Sequence, residues 1–441
     1  MSAPLRIQVF VSREQEGQYL TVPFVMPPKV ESLSLTCQYE RRAGTGSGGF
    51  TPRQEINIID LGLIAPDGTQ VGASGSDKDS FQVSETEATP GYRTCRLVPG
   101  EWRILLGAYK IAPEGVAVAY ELTFTHKRLR LLKGDLHTHT LASDGVLTLD
   151  ELGRHALRHG LDFLAVTDHN QMVPTDALPR LPGLTMIPGI EWTHYKGHAN
   201  FTGVDAPYDG SFMANTFEEV QARFASARQR GALITLNHPF DEGCPFTFDM
   251  ESLPFDCLEI WNGPMRMSNM QAIALWHSFL AAGKKIPVCG GSDYHRSQLF
   301  LFPGGPTTCV YAMSAGVSDI LAALRQGHAY VVYAPGGPTL ELTAGESLMG
   351  DSVPFSTVKE LEITVNGLRA GDVVQVVTAQ GGTPLLKAEN DGNFRGHYRM
   401  DSPGFARIEV LREFIPGIPM LPALVSNPVY FDTQNRASRL I

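Results

Sequence analysis

The sequence has no cysteine pair at CxxC spacing, no internal repeat, no low-complexity stretch and no run approaching the ~18 apolar residues of a membrane span. Each absence removes a class of protein. The six cysteines, Cys37, Cys95, Cys244, Cys257, Cys289 and Cys309, are scattered, which argues against a zinc ribbon or a disulfide framework and for reduced, mostly buried thiols. Positive charge is also short: 36 Lys and Arg face 46 Asp and Glu, a formal charge of -10. Neither nucleic acid nor an anionic membrane is therefore expected as a bulk partner, and an anionic substrate would need local charge. The opening Met-Ser-Ala-Pro-Leu-Arg lacks a basic stretch followed by an apolar core, so a soluble cytoplasmic protein is expected. With 441 residues, 43% of them hydrophobic, the chain can bury large cores in two or three domains.

Residues 1–130 read as strands. Ile7, Val9 and Val11 alternate, as do Leu33, Leu35, Cys37 and Tyr39, with turns at Pro66-Asp67-Gly68 and Pro99-Gly100 and a glycine- and serine-rich loop at Gly44–Gly49. No useful amphipathic helix precedes Lys133, which predicts an N-terminal β-sandwich. From 131 to 335 short apolar runs alternate with helical segments, the pattern of a parallel sheet or barrel. Thr148-x-x-Glu151 and Thr216-x-x-Glu219 are capping boxes opening helices that should stop near Gly160 and Gly231. Further helices are expected over Ser268–Gly283 and Ser318–Gly327, between candidate strands Phe163–Val166, Leu233–Leu236, Leu258–Trp261 and Ile286–Cys289. Past Pro335-Gly336-Gly337-Pro338 the alternation returns, with turns at Asn366-Gly367 and Asp391-Gly392, and predicts a small C-terminal β domain over 336–441.

In the middle region apolar runs end in imidazole or carboxylate, the position where barrel enzymes collect catalytic groups. Phe163–Val166 leads to Asp168-His169, Met186–Ile190 to Glu191, Leu233–Leu236 to His238, and Val288–Gly291 to Asp293 and His295. Upstream, His137-x-His139 places two histidines on one side of an extended segment, because side chains alternate with period two. Imidazole and carboxylate are the ligands expected for Zn, Mn or Fe; sulfur is absent from this set, which excludes a structural thiolate zinc site. Three carboxylates (Asp144, Glu191, Asp293) with neutral imidazoles carry about -3, and three divalent ions would leave roughly +3, suited to a phosphate ester.

Gly134-Asp135-Leu136-His137-Thr138-His139, Thr167-Asp168-His169-Asn170, Gly189-Ile190-Glu191, Asn237-His238-Pro239 and Ser292-Asp293-Tyr294-His295 resemble the motifs of the PHP (polymerase and histidinol phosphatase) superfamily over residues 131–335. Gly197-His198-Ala199-Asn200 and the flanking β domains further resemble its CehA/McbA-type branch of metallo-phosphoesterases. The resemblance implies an α/β fold, a distorted (β/α)7 barrel flanked by β-sandwich-like domains, with two or three divalent ions (Zn, Mn or Fe) at the strand ends. It implies that His137, His139, Glu191 and Asp293 hold the first metal, Asp144, His169 and a bridging Glu191 the second, and His198, His238 and His295 the third. Of the two histidines in Glu191–His198, the Gly-His-x-Asn setting favours His198 over His194.

The activity implied is phosphomonoester or phosphodiester hydrolysis by a hydroxide bridging two metals, with Glu191, Asp293 and His295 as catalytic residues. Lys196, Arg266 and Arg296 lie near the motifs and are candidate phosphate contacts. The alternative is a carbamate or carboxylic ester hydrolase, since a metal hydroxide also attacks carbonyls. A third reading is a metal-holding scaffold without turnover, against which retention of Glu191 speaks. The expected partner is a small ester substrate, with the β domains shaping the pocket or a homo-oligomer. Asp135 and Asp168 are expected to orient imidazoles from behind. His155 and His159, beside Arg154 and Arg158, are expected at the surface, because the arginines repel a cation. Trp192, Trp261 and Trp276 are expected in the core.

Overall fold

The computed structural model describes residues 3–42 and 54–433, and the chain divides into two compact units, Met1–Arg128 and Leu129–Ile441. The loop expected at Gly44–Gly49 lies outside the described residues. No helix among those residues is long and apolar enough to cross a membrane.

In the first unit, strands β1 (Leu5–Val11), β2 (Tyr19–Met26), β3 (Val30–Tyr39), β4 (Ile58–Ile64), β5 (Gln70–Ser74), β6 (Ser80–Ser84), β7 (Gly100–Lys110) and β8 (Val116–His126) form two antiparallel sheets, ordered β1-β8-β3-β6 and β2-β7-β4-β5. Alternation sends Leu33, Leu35 and Val118 of one sheet and Leu61, Ile104 and Leu106 of the other into one shared core. Two sheets closing on one apolar layer make a sandwich.

The second unit carries β9 (Arg130–Asp135), α1 (Leu149–Arg158), β10 (Phe163–Val166), β11 (Thr185–His194), β12 (Gly197–Thr202), α2 (Phe217–Gln229) and β13 (Leu233–Leu236). It continues through β14 (Cys257–Asn262), α3 (Met267–Ala281), β15 (Val288–Gly291), β16 (Thr307–Ala312), α4 (Val317–Gln326) and β17 (Ala329–Val332). Both capping boxes form: Glu151 N donates to Thr148 Oγ1 (3.3 Å) while Thr148 N donates to Glu151 Oε2 (2.9 Å), and the Thr216–Glu219 pair repeats this. Gly160 and Gly231 sit past the helix ends at φ 78° and 89°, where glycine escapes the Cβ penalty. The strands follow the order β15-β14-β13-β12-β11-β10-β9-β16-β17. Along β10, Phe163 and Ala165 join an inner layer with Ile187, Leu233 and Val310, while Leu164 and Val166 face Leu152 and Ala156 of α1.

A regular sevenfold strand–helix alternation is not what forms. The pairs β9–β10, β10–β11, β13–β14 and β14–β15 are parallel, but β11–β12 and β12–β13 are antiparallel. Only Tyr195 and Lys196 separate β11 from β12, far too few for a parallel crossover, so the chain must double back as a hairpin. Between β15 and β16 the contact runs through a side chain: Gly290 N donates to Thr308 Oγ1 (2.9 Å), whose hydroxyl donates to Gly290 O (2.6 Å).

The boundary expected at 335/336 is bridged by the sheet rather than marked by a break. The strand Leu421–Ser426 pairs with β17, opposing Tyr330 to Ser426 and Val332 to Leu424. Beyond it, the Asn427 amide donates to Val288 O and Ala329 O and accepts from Val288 N. C-terminal strands thus extend the central sheet, because backbone pairing is continuous across the two segments.

Candidate metal centre

The residues singled out along the sequence gather at one end of this sheet. His137 and His139 follow β9, with Thr138 bridged to Tyr294, and His169 follows β10, bridged to Glu191 on β11. His198 lies on β12 opposite Thr193, so it shares a face with Glu191. His238 follows β13, and Asp293 and His295 follow β15. Asn170, His238 and Asp293 take positive φ of 50°, 25° and 52°, a region costly for residues with a Cβ. Gly291 admits the packing: a Cβ there would stand 2.4 Å from His137 Cβ.

Glu191 is the hub. Its Oε1 lies 3.3 Å from His137 Nε2, 3.1 Å from His198 Nδ1 and 3.3 Å from His238 Nε2, and it accepts from Asn237 Nδ2 (2.8 Å). Its Oε2 lies 2.8 Å from His169 Nδ1 and 3.4 Å from His139 Nε2. Asp293 Oδ1 approaches His139 Nε2 (3.0 Å) and His137 Nε2 (3.4 Å). Further out, Asp144 Oδ1 stands 3.2 Å from His295 Nε2 and 3.8 Å from His169 Nε2. The centre grades from sealed to open: the His137, His139 and Glu191 side chains are fully buried, whereas Asp144 is 57% exposed.

Several of these atoms are buried and lack a hydrogen-bond partner: His137 Nε2, both ring nitrogens of His139, Glu191 Oε2 and Asp293 Oδ1. Orphaned polar atoms cost free energy in a dry site unless something else engages them. Imidazole nitrogens and carboxylate oxygens aimed at one point fit a divalent cation. Burial alone would raise the Glu191 pKa, but His137, His169 and His198 hold it well below the usual carboxylate range. Burial likewise opposes the charge of Asp293, yet His137 and His139 keep it well below its ordinary value. Burial lowers His139, while at His137 the carboxylates of Asp293, Glu191 and Glu259 outweigh burial and raise it well above its usual value.

The third ligand set implied by the resemblance is not assembled. His295 joins His139, Asp144 and His169, whereas His198 and His238 cluster with Cys244. One sulfur therefore reaches the pocket, against the expectation of none: Cys244 Sγ is 3.9 Å from His238 Nδ1. His194 is turned away, its Nε2 on Ala214 O (3.1 Å) and its Nδ1 accepting from Lys196 N (3.0 Å). Of the proposed phosphate contacts, Lys196 is exposed, Arg296 Nη2 is 3.5 Å from Asp144 O, and Arg266 donates to Asn262 Oδ1 (2.8 Å) beside the centre.

Asp135 and Asp168 do not orient imidazoles. Asp135 accepts from Ser292 N, Ser292 Oγ, Gly304 N and His137 N, and Asp168 from Thr140 N, Thr140 Oγ1 and Ser143 Oγ. They fasten the ligand-bearing loops. The carboxylate behind an imidazole is Glu259, whose Oε1 is 3.0 Å from His137 Nδ1, while Thr193 Oγ1 is 2.7 Å from His169 Nδ1. The sequence reading missed both; an acid inside the apolar run Cys257-Leu258-Glu259-Ile260-Trp261 was the available signal. His155 and His159 are half-buried, packed on Tyr294 and Phe302, and stand outside the cluster. Trp192, Trp261 and Trp276 are buried in the core.

No family model matches the chain. Over 103 residues it is 34% identical to the 5'-3' exoribonuclease Rnm of Salmonella typhimurium, covering 20% of this chain and 34% of that protein. The chain thus spans about a third of the length of that curated relative. Among solved structures it is similar to a two-domain protein containing a predicted PHP-like metal-dependent phosphoesterase from Bacteroides vulgatus (17% identity, TM-score 0.40, 68% of this chain and 95% of that one). A candidate metal-dependent phosphoesterase from Bifidobacterium adolescentis aligns at 17% identity and TM-score 0.30 over 43% of this chain and 95% of that one. An amidohydrolase from Chromobacterium violaceum with bound sulfate and no metal aligns at 15% and 0.26 over 38% of this chain and 89% of that one.

Proposed function

We infer that this chain is a metal-dependent hydrolase of the PHP superfamily, of CehA/McbA type with a distorted β/α barrel, acting on a phosphomonoester or phosphodiester. The observation that carries the reading is the convergence of buried, unpartnered imidazole and carboxylate atoms on Glu191. The stretch similar to an exoribonuclease favours a phosphoester over a carbamate or carboxylic ester. Divalent ions such as Zn, Mn or Fe, when bound, supply a water of lowered pKa as nucleophile and positive charge against the ester oxygen.

The chain's own residues do the rest. His137, His139 and Asp293 form one side of the ligand field and Asp144, His169 and His295 the other, with the two oxygens of Glu191 between them. Glu259 holds His137 through Nδ1, so that Nε2 points into the centre. Burial of His137 and Glu191 keeps water out and strengthens every charge interaction inside. Exposed Asp144, with half-buried His295 beside it, leaves the outer side open to a substrate. Arg266, which donates to Asn262 Oδ1 and stands 3.5 Å from Asp241 Oδ2, is the cation proposed to meet a phosphate. The free cysteines accord with a cytoplasmic location.

The test is elemental analysis of the purified protein together with a metal-reconstituted screen of p-nitrophenyl phosphate, its bis ester and neutral carbamates. Bound transition metal and phosphoester turnover, competitively inhibited by inorganic phosphate, are expected. Turnover of neutral esters alone, indifferent to phosphate, would overturn the substrate class; a metal-free, inert protein would overturn the hydrolase.

A further inference from the structure

We propose that Cys244 is a metal ligand, forming with His198 and His238 a mixed imidazole–thiolate site beside the carboxylate-rich centre. The proposal rests on the metal centre inferred above but not on any substrate.

Two imidazoles need a further donor. His198 and His238 both touch Glu191 Oε1, at 3.1 and 3.3 Å, and His295, the third imidazole that the sequence motifs supplied, stands with Asp144 and His169 instead. The loop after β13 supplies sulfur in its place. Asp241 N donates to His238 O (2.9 Å), and Asp241 Oδ1 accepts from Gly243 N (2.9 Å) and Cys244 N (3.3 Å). Phe246 N then closes on Pro239 O (3.0 Å). This turn brings the thiol back onto the imidazole, with Sγ 3.9 Å from His238 Nδ1. His238 therefore stands between Glu191 on its Nε2 and sulfur on its Nδ1.

The separation matches shared coordination. A tetrahedral ion with Zn–N near 2.0–2.1 Å and Zn–S near 2.3 Å sets its N and S ligands roughly 3.6 Å apart. The ligand atoms of His198, His238 and Cys244 lie within 4.8 Å of one another, so small rotations close the site. The competing contact, Cys244 Sγ to Asp241 Oδ1 at 3.6 Å, is a long thiol hydrogen bond that coordination would replace. On binding, the Cys244 S–H bond breaks heterolytically: the proton passes to solvent, the sulfur pair to the cation, and nothing is oxidised. A thiolate favours Zn over Mn or Mg, so this position would select its metal differently from the nitrogen and oxygen sites beside it. Three protein ligands leave one position for solvent or a substrate oxygen.

The experiment is zinc X-ray absorption on the full chain loaded with zinc, paired with Cys244→Ala. A sulfur shell near ~2.3 Å is expected in the parent. In C244A that shell should vanish and zinc content fall by one per chain, with the remainder kept. No sulfur shell in the parent, or an unchanged one in C244A, overturns the proposal. Should C244A fold poorly, alkylation of the parent decides it: Cys244 should react more slowly with zinc bound than after chelation, because a coordinated thiolate is withheld from the reagent. Equal rates refute it. All these readouts come from the metal and the thiol, so a silent phosphoester screen with the sulfur shell present would remove the hydrolase and leave this site standing.

Discussion

Replacing Glu259 with Gln changes one atom in a buried side chain, yet it should disable His137 as a ligand. Glu259 Oε2 accepts from His238 N (3.0 Å) and Asn262 Nδ2 (3.2 Å), while Oε1 faces His137 Nδ1 (3.0 Å). In E259Q the amide oxygen must stay where two donors meet it, which turns the amide NH2 toward His137. The imidazole must then accept at Nδ1 and carry its proton on Nε2, the nitrogen 3.3 Å from Glu191 and 3.4 Å from Asp293. A protonated Nε2 cannot bind a cation. Reversing the amide instead leaves buried donors unmet, at about 1–3 kcal/mol. Binding a cation through Nε2 requires that reversal, so metal affinity should fall roughly 5- to 140-fold, at 1.4 kcal/mol per tenfold. Titration of zinc or manganese against a competing chelator measures the loss, with the melting temperature of the metal-free variant as a control for folding. Unchanged affinity in a well-folded E259Q would refute the claim that Glu259 fixes the tautomer of His137.

Three other outcomes are expected. G291A forces a Cβ to within 2.4 Å of His137 Cβ and 2.9 Å of its backbone nitrogen, and should destabilise the chain by about 1–3 kcal/mol in urea while lowering metal content; a parent-like melt would count against this packing. H194A should keep full metal content and H198A should lose part of it, because of these two histidines His198 alone touches Glu191; the reverse pattern in elemental analysis would exchange their roles. Burial pushes the Asp135 carboxyl from 3.8 up to about 6, despite four donors from Ser292, Gly304 and His137 that pull it down. A raised folded-state pKa means that its share of stability is complete below about 3.8 and lost as pH rises through about 6. The stability of the parent relative to D135N should therefore fall by up to about 3 kcal/mol between pH 4 and 7, and a pH-independent difference in paired urea melts would exclude the effect.

Local rules were legible because they depend on neighbours in the chain. Thr148 and Glu151, three residues apart, satisfy orphan amides wherever they occur, so the start of α1 could be read directly. Apolar runs at Phe163–Val166 and Leu233–Leu236 matched strands for the same reason. His137, His139, His169, Glu191, His238 and Asp293 were legible as candidates because they stand beside or at the ends of apolar runs, where barrel enzymes collect catalytic groups, whereas His198 was named only through the family resemblance.

Pairings between distant segments were not legible. Which imidazoles share a cation depends on angles and separations between strands that no local spacing encodes, so His295 could be placed with His198 and His238 when the fold puts it beside Asp144. Sulfur entered the pocket through a turn six residues long, pinned by Asp241, and Glu259 entered through the inward face of β14. The join of β17 to Leu421–Ser426 is of the same kind, since backbone hydrogen bonding carries no side-chain signature of its partner. Sequence thus determined the elements and the chemistry of their ends, while tertiary structure decided partners, because contact across a sheet is set by register and twist rather than by order along the chain.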